Sequence, residues 1–483
     1  MRTVTGKDRI RGGGAVNLYD RLVRTLLASL LLSLSACSGG ETDGGSTVPL
    51  PPATEVNTPT AEGAPREYGL TVLLVEHPVS GVIRRHIGDF EALAGAEVDL
   101  EIVPFYEARQ KALVDLGTGT DNYDVMMLMD TWLTEFASSG NLLDLRRLVN
   151  RLPSEFDYDW MGDIVPHVNV LLGQWRGRQM AIPLMASTQL LMYRQDLFTE
   201  QQDAFEAVVG RELTVPRTWE EFNEVARFFT RMFNPASPTE YGLAVAAEEG
   251  NSALSLFQTI LWGVGGREFS RNWRVTINTQ EGLRAMELWA EQARYAPPDA
   301  SAMYWGDMNN VFKQGHAAMQ IQWDAFAVEL ERDAASHVRG KVGYALVPGE
   351  PEPAPVIAGW VLVINANSQR VPLAWDFIKW YCGPEFGFVL NREGGQLPRF
   401  SLYTNPELVE RFPHYEAALS SFPKAQQRGT YSPGGPTLSA QTQYERIVGG
   451  AAHAAFTGEK SPQDAVDDAA DELGALLERI GQR

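Results

Sequence analysis

Four places in the 483-residue chain set an indole against a carboxylate or a turn-forming glycine: Asp130-Thr131-Trp132, Trp262-Gly263, Trp323-Asp324 and Gly359-Trp360. A flat apolar ring beside a hydrogen-bond acceptor suits a molecule with CH faces and hydroxyl edges. The chemistry on offer is therefore recognition of a small polar solute such as a carbohydrate. Covalent chemistry finds little support. There is no Gly-x-Ser-x-Gly turn, and neither cysteine has the surroundings of a nucleophile. The seven histidines (His77, His86, His167, His316, His337, His414 and His453) include no pair at four-residue spacing backed by an acid, so a zinc site is not expected. Trp262-Gly263-Val264-Gly265-Gly266 lacks the lysine and the helix start of a phosphate loop. Adjacent acids at Glu220-Glu221 and Asp467-Asp468 read as solvated helix faces. The chain is thus expected to be no enzyme and to carry no metal and no cofactor.

Of the 12 tryptophans, Trp160, Trp219, Trp289, Trp375 and Trp380 lie within or at the start of helical patterns and are expected in cores. Trp132, Trp323 and Trp360 stand at element ends, where a cleft can form. The elements that must position them alternate regularly. Leu70-Thr71-Val72-Leu73-Leu74-Val75 is a buried-strand run, 81–93 reads helical, 98–103 is a strand, 106–116 a helix and 123–129 a third strand. That grammar means parallel βαβ units, in which ligands sit beyond the carboxyl ends of the strands. Further on, Thr218 with Glu221 forms a capping box, and Asn278 with Glu281 opens a second helix. Ser461-Pro462 starts the last helix, with Val466, Ala469, Leu473, Leu476 and Ile480 inward.

The N-terminus is of another kind. Arg2, Lys7, Arg9, Arg11, Arg21 and Arg24 precede the short apolar run Leu26–Leu34, the pattern of a secretion signal. Leu34-Ser35-Ala36-Cys37 resembles the bacterial lipobox, which implies a lipid on Cys37 and a chain anchored to the membrane, in the periplasm or at the cell surface. Residues 38–67, rich in Gly, Ser, Thr and Pro, read as a disordered tether. Cys382 then has no partner and reads as a small buried hydrophobe. The formal charge is −20, and about −24 once the six basic and two acidic residues of 1–36 are removed. Such a surface excludes nucleic acid as a partner.

Six runs, in order, resemble family 1 extracellular solute-binding proteins: Leu116-Gly117-Thr118-Gly119-Thr120-Asp121-Asn122-Tyr123-Asp124-Val125; Ala181-Ile182-Pro183-Leu184 with Tyr193-Arg194-Gln195-Asp196-Leu197-Phe198; Val215-Pro216-Arg217-Thr218-Trp219-Glu220-Glu221-Phe222; Phe312-Lys313-Gln314-Gly315-His316-Ala317-Ala318-Met319; Val347-Pro348-Gly349 leading to Gly359-Trp360; and Gly394-Gly395-Gln396-Leu397-Pro398-Arg399. The resemblance implies an α/β fold of the two-lobed periplasmic-binding-protein type (type II). Each lobe would be a mostly parallel sheet flanked by helices, and hinge crossings near 181–185, 356–362 and 421–432 would join them. The implied parts are a signal at 1–36, a tether at 37–67, an N-terminal lobe of 68–182 plus 362–421, and a C-terminal lobe of 183–361 plus 422–483.

The same resemblance implies a ligand site of Glu76, Asp130, Trp132, Gln189, Trp323, Asp324, Gly359, Trp360, Arg399 and Tyr431, with His77 beside Glu76 in a loop of uncertain register. For Arg399 a structural role bridging strands stands as an equal reading. The implied function is the substrate-binding component of an ABC importer, a monomer that closes on a carbohydrate and passes it to permease subunits. Two other classes stay open: a secreted enzyme acting on polysaccharide, and a receptor for a polyol, polyamine or peptide. A Trp-rich cleft with few carboxylates would favour the sugar, and a ring of three or more acids the cation.

Overall fold

The apolar runs form strands where the alternation placed them. The computed structural model describes residues 69–149, 161–430, 438 and 440–482, so the signal, the tether, Cys37, Trp160 and Tyr431 lie outside the described residues. Eight strands carry the fold: β1 (Leu70–Val75), β2 (Val98–Val103), β3 (Val125–Met129), β4 (Ile182–Arg194), β5 (Tyr241–Ala244), β6 (Ala317–Trp323), β7 (Val342–Ala345) and β8 (Ile357–Ile364). The helices of nine or more residues are α1 (Pro78–Ala94), α2 (Phe105–Thr118), α3 (Trp219–Phe228), α4 (Asn251–Gly263), α5 (Gln280–Gln292), α6 (Trp305–Lys313), α7 (Val371–Tyr381), α8 (Pro384–Arg392), α9 (Gln441–Thr457) and α10 (Pro462–Arg479).

Caps explain several of the helix starts. Helix α1 begins at Pro78, three residues before the apolar pattern shows, because His77 Nδ1 accepts the Val79 amide at 3.3 Å and Pro78 needs no donor of its own there. In α3 the Thr218 hydroxyl accepts the Glu221 amide at 3.1 Å, while the Glu221 carboxylate reaches back one residue further than expected, to the Arg217 amide at 2.8 Å. Helix α5 is capped by Thr279 and not by Asn278, whose side-chain amide instead donates to Asp467 on α10 at 3.1 Å. Ser461 caps α10 as read from the sequence.

Strand order is β2-β1-β3-β8-β4-β6-β5, with β7 also pairing β4. β1 lies parallel to β2 and β3, and β5 parallel to β6; β4 and β8 run antiparallel to their neighbours and carry the chain between the two parallel groups. β4 spans 13 residues, almost all buried, or about 43 Å at the usual strand rise. Up to Thr188 it pairs with β8, and from Gln189 onward with β6. The fold is therefore two-lobed, and each lobe has its own apolar core. One core takes residues from Leu70 to Leu190 and from Ile357 to Ala425; the other takes Leu191 to Val356 and Leu438 to Leu477. The three passages touch side by side, since the Gln189 amide donates to Val356 O at 3.2 Å and the Ile357 amide to Gln426 O at 3.0 Å.

Trp219, Trp289 and Trp375 are buried as expected, and Trp380 is packed against the first core. Cys382 caps the end of α7, fully buried and unpaired. Burial pushes its thiol up to about 12, so it stays a protonated apolar filler.

Candidate ligand-binding site

Parallel strands end together, and the residues that follow them meet. After β1 come Glu76 and His77, after β2 comes Phe105, and β3 runs straight into Asp130-Thr131-Trp132. β8 is antiparallel to β3, so its beginning, Gly359-Trp360, meets the same edge, with Trp360 opposite Met129. The Trp360 ring lies 5.9 Å from His77, 6.0 Å from Phe105 and 6.2 Å from Trp132, and Trp132 lies 4.9 Å from Phe105. Four aromatic rings thus form one wall.

Two local devices aim that wall. The pairing of β8 with β4 slips between Trp360 and Val361, a bulge of the kind that redirects a side chain. Only glycine fits just before it, because a Cβ on residue 359 would sit 2.2 Å from Met185 O. The freed Gly359 amide donates to Asp130 Oδ1 at 3.2 Å.

Asp130 is buried, and among the described residues no hydrogen bond reaches its Oδ2. Burial raises its carboxyl above the usual range; the Arg428 charge opposes the rise most, followed by the Gly359 amide and the Gln427 side chain. Arg428 comes from the third passage between lobes and is 1% exposed. Its Nη1 stands 3.6 Å from Glu445 Oε1. Among the described residues, Nε, Nη1 and Nη2 of Arg428 have no hydrogen-bond partner.

Arg428 also faces the second lobe. Burial raises the Tyr304 phenol although the residue is 47% exposed, and Arg428 is the first charge that opposes the rise. Tyr304 lies 6.1 Å from Trp305, and Trp305 lies 5.6 Å from Trp323. The Arg428 charge thus acts on Asp130 of the first lobe and on Tyr304 of the second, and ring contacts continue from Tyr304 to Trp305 and Trp323. His77 has been desolvated as well, its pKa lowered to about 4, so it stands neutral beside Trp360.

The expected residues thus separate. Asp130, Trp132, Gly359 and Trp360 come together in the first lobe, and Trp323 is buried with Trp305 in the second core. Asp324, the carboxylate next to Trp323, is fully buried between crossing segments: the Ser187 hydroxyl donates to its Oδ1 at 2.5 Å and the Thr188 amide at 3.1 Å. Burial raises it to about 6, with the Ser187 hydroxyl the chief opposing group. Gln189 is also fully buried, its Oε1 taking a hydrogen bond from Thr259 inside the second core. Arg399 has no exposed surface; it donates to Cys382 O and pairs with Asp163 at 3.4 Å, a pin within the first lobe. Glu76 is exposed, its amide paired with Val103 O at 2.8 Å.

Sequence reasoning missed Phe105, Tyr304, Trp305, Arg428 and Glu445. Phe105 carried a signal, being the aromatic that follows a strand just as Trp132 does, and Tyr304-Trp305 sat at a helix start. Arg428 lies within the expected third crossing but looked like any surface arginine.

Residues 79–386 match the family described as bacterial extracellular solute-binding protein. The chain belongs to that family. It is an ABC transporter substrate-binding protein, similar over 394 residues (22% identical, 81% of this chain and 85% of the relative) to a probable amino-acid ABC transporter periplasmic-binding protein of Sinorhizobium fredii. Among solved structures, this solute-binding protein resembles an ABC transporter solute-binding protein from Agrobacterium radiobacter K84 in complex with ribitol (TM-score 0.70, 27% identical, 85% of this chain and 99% of that one). It shares its fold with maltose-bound T. maritima MalE3 (TM-score 0.68, 24% identical, 85% and 100%). No described helix is long and apolar enough to cross a membrane.

Proposed function

We propose that this solute-binding protein captures a neutral polyhydroxylated solute, a carbohydrate or polyol, in the gap between its lobes and delivers it to an ABC permease. The observation that carries the reading is the four-ring wall of His77, Phe105, Trp132 and Trp360 beside the buried Asp130. Indole planes take the CH faces of such a ligand, and Asp130 takes a hydroxyl edge. One arginine and two acids are no ring of carboxylates for a cation. The ribitol and maltose carried by similar solved structures support the same class.

The mechanism is a population shift. A ligand touching Trp360 on one lobe and Trp323 on the other does so fully only when the lobes meet, so its binding energy favours the closed form that a permease recognises. The lobes would turn about the three passages at 188–191, 356–357 and 425–430. A lipid on Cys37 would keep the protein at the membrane, and the monomer would suffice for binding.

Ligand-induced stabilisation tests this. A binder at 100 times its dissociation constant adds about 2.7 kcal/mol. Ribitol or maltose should raise the melting temperature, and calorimetry should show one site per chain without turnover. If neither neutral solute binds while an amino acid does, the reading is wrong.

A further inference from the structure

The second residue of the site that the fold alone reveals is Arg428. A fully buried guanidinium ordinarily makes several hydrogen bonds, because a desolvated charge without partners is unfavourable. Here the charge is opposed by Glu445 at 3.6 Å and by Asp130, yet no hydrogen bond among the described residues uses the fork of donors. Asp130 shows the complementary lack, an acceptor oxygen, Oδ2, without a donor. The two side chains come from different segments, one from the end of β3 and one from the third passage, and β8 joins them, since the Ile357 amide donates to Gln426 O at 3.0 Å and the Gly359 amide to Asp130 Oδ1 at 3.2 Å.

We propose that Arg428 and Asp130 are a specificity pair that grips adjacent hydroxyls of a neutral ligand, and that Glu445 cancels the guanidinium charge so that carboxylate-bearing solutes are rejected. The proposal rests on the polyhydroxyl reading above and narrows it. A hydroxyl both donates and accepts, so a vicinal diol can take a hydrogen bond from the guanidinium and give one to Asp130. A carboxylate can only accept; it would face Asp130 and Glu445 with no surplus positive charge to hold it. Arginine suits this use because its planar fork presents parallel donors at fixed spacing, which lysine cannot reproduce.

Titration calorimetry on the full chain with ribitol, maltose, D-gluconate and L-serine tests this. The wild type should bind ribitol or maltose and bind gluconate at least tenfold more weakly. Arg428→Met should lower affinity for the neutral ligand at least a hundredfold, and Arg428→Lys at least tenfold. Glu445→Gln should shift the gluconate-to-neutral affinity ratio at least tenfold toward gluconate, which a merely structural glutamate would not do. Circular dichroism and melting confirm that each variant folds; if Arg428→Met does not, Arg428→Lys and the wild-type panel decide. A folded Arg428→Met or Arg428→Lys with wild-type ribitol affinity, an unmoved ratio in Glu445→Gln, or wild-type preference for gluconate overturns this proposal while leaving the polyhydroxyl reading standing. Binding of L-serine alone, or of none of the four, overturns that reading and this one with it.

Discussion

Two acid–indole pairs that look alike in the chain come to different ends. Asp130 with Trp132 follows β3 of the first lobe, and Trp323 with Asp324 closes β6 of the second; both carboxyls are fully buried and raised by that burial. Around Asp324 the strand-crossing segment supplies a hydroxyl and an amide to the same oxygen, so the acid ties two segments together. Around Asp130 the protein supplies one amide, an arginine and a wall of rings. Burial alone therefore does not separate a ligand-facing carboxylate from a structural one. What separates them is the company each keeps: among the described residues both acids have an Oδ2 without a hydrogen-bond partner, but only Asp130 has beside it a guanidinium charge whose donors are likewise unused.

The contrast can be broken most forcefully at Arg399, which shares full burial with Arg428 but is held by Cys382 O and Asp163. Arg399→Met should destabilise the protein by about 3 kcal/mol or more in urea melts, because it takes from Asp163 the buried positive charge that faces it and leaves the Ser401 amide and hydroxyl there, while the folded fraction binds ligand as before. A loss of affinity without a loss of stability would move Arg399 into the site. Trp360→Ala should do the reverse: calorimetry should show affinity for a neutral polyol falling by about 2 kcal/mol or more, against a change of no more than about 1.5 kcal/mol in ligand-free stability from its ring contacts. Collapse of the fold would make Trp360 a core residue.

Asp324 offers a pH test with a definite sign. Its folded pKa, about 6, exceeds the unfolded value, so the native state holds its proton over a window in which the unfolded state does not. Its contribution to stability is therefore fully present below the unfolded value and lost as pH rises through about 6. Asn copies the protonated form, so Asp324→Asn should melt higher than wild type at pH 8, and the gap should close as pH falls toward 4. A gap independent of pH would mean that Asp324 never carries the buried charge. The smallest effect belongs to Glu76, exposed and bonded only through its backbone; Glu76→Ala should change both stability and affinity by about 0.5 kcal/mol or less. A larger loss of affinity would extend the site around the first strand end.

Strand positions were legible because burial on both faces demands unbroken apolar runs: β1 and β2 coincide with the runs read from the sequence. Helix starts were legible where a cap and its partner lie three residues apart, as at Ser461. At Asn278 the same composition misled, because two adjacent polar residues could each cap and the neighbouring helix α10 decided between them. The site was half legible for the same reason. Residues such as Asp130, Trp132 and Trp360 announce themselves by standing at strand ends, a local property. Arg428, distant in sequence from Asp130, gains its meaning only from what the fold sets beside it.

The sequence by itself determined the alternation of elements and the aromatic residues at strand ends, because hydrophobic period, capping and turn chemistry act over a few neighbouring residues; the two-lobed class followed only from the resemblance to the solute-binding family. Only the tertiary structure decided which buried polar groups satisfy one another and which are left facing the gap. That is a question of distances between segments hundreds of residues apart, and no local pattern encodes it.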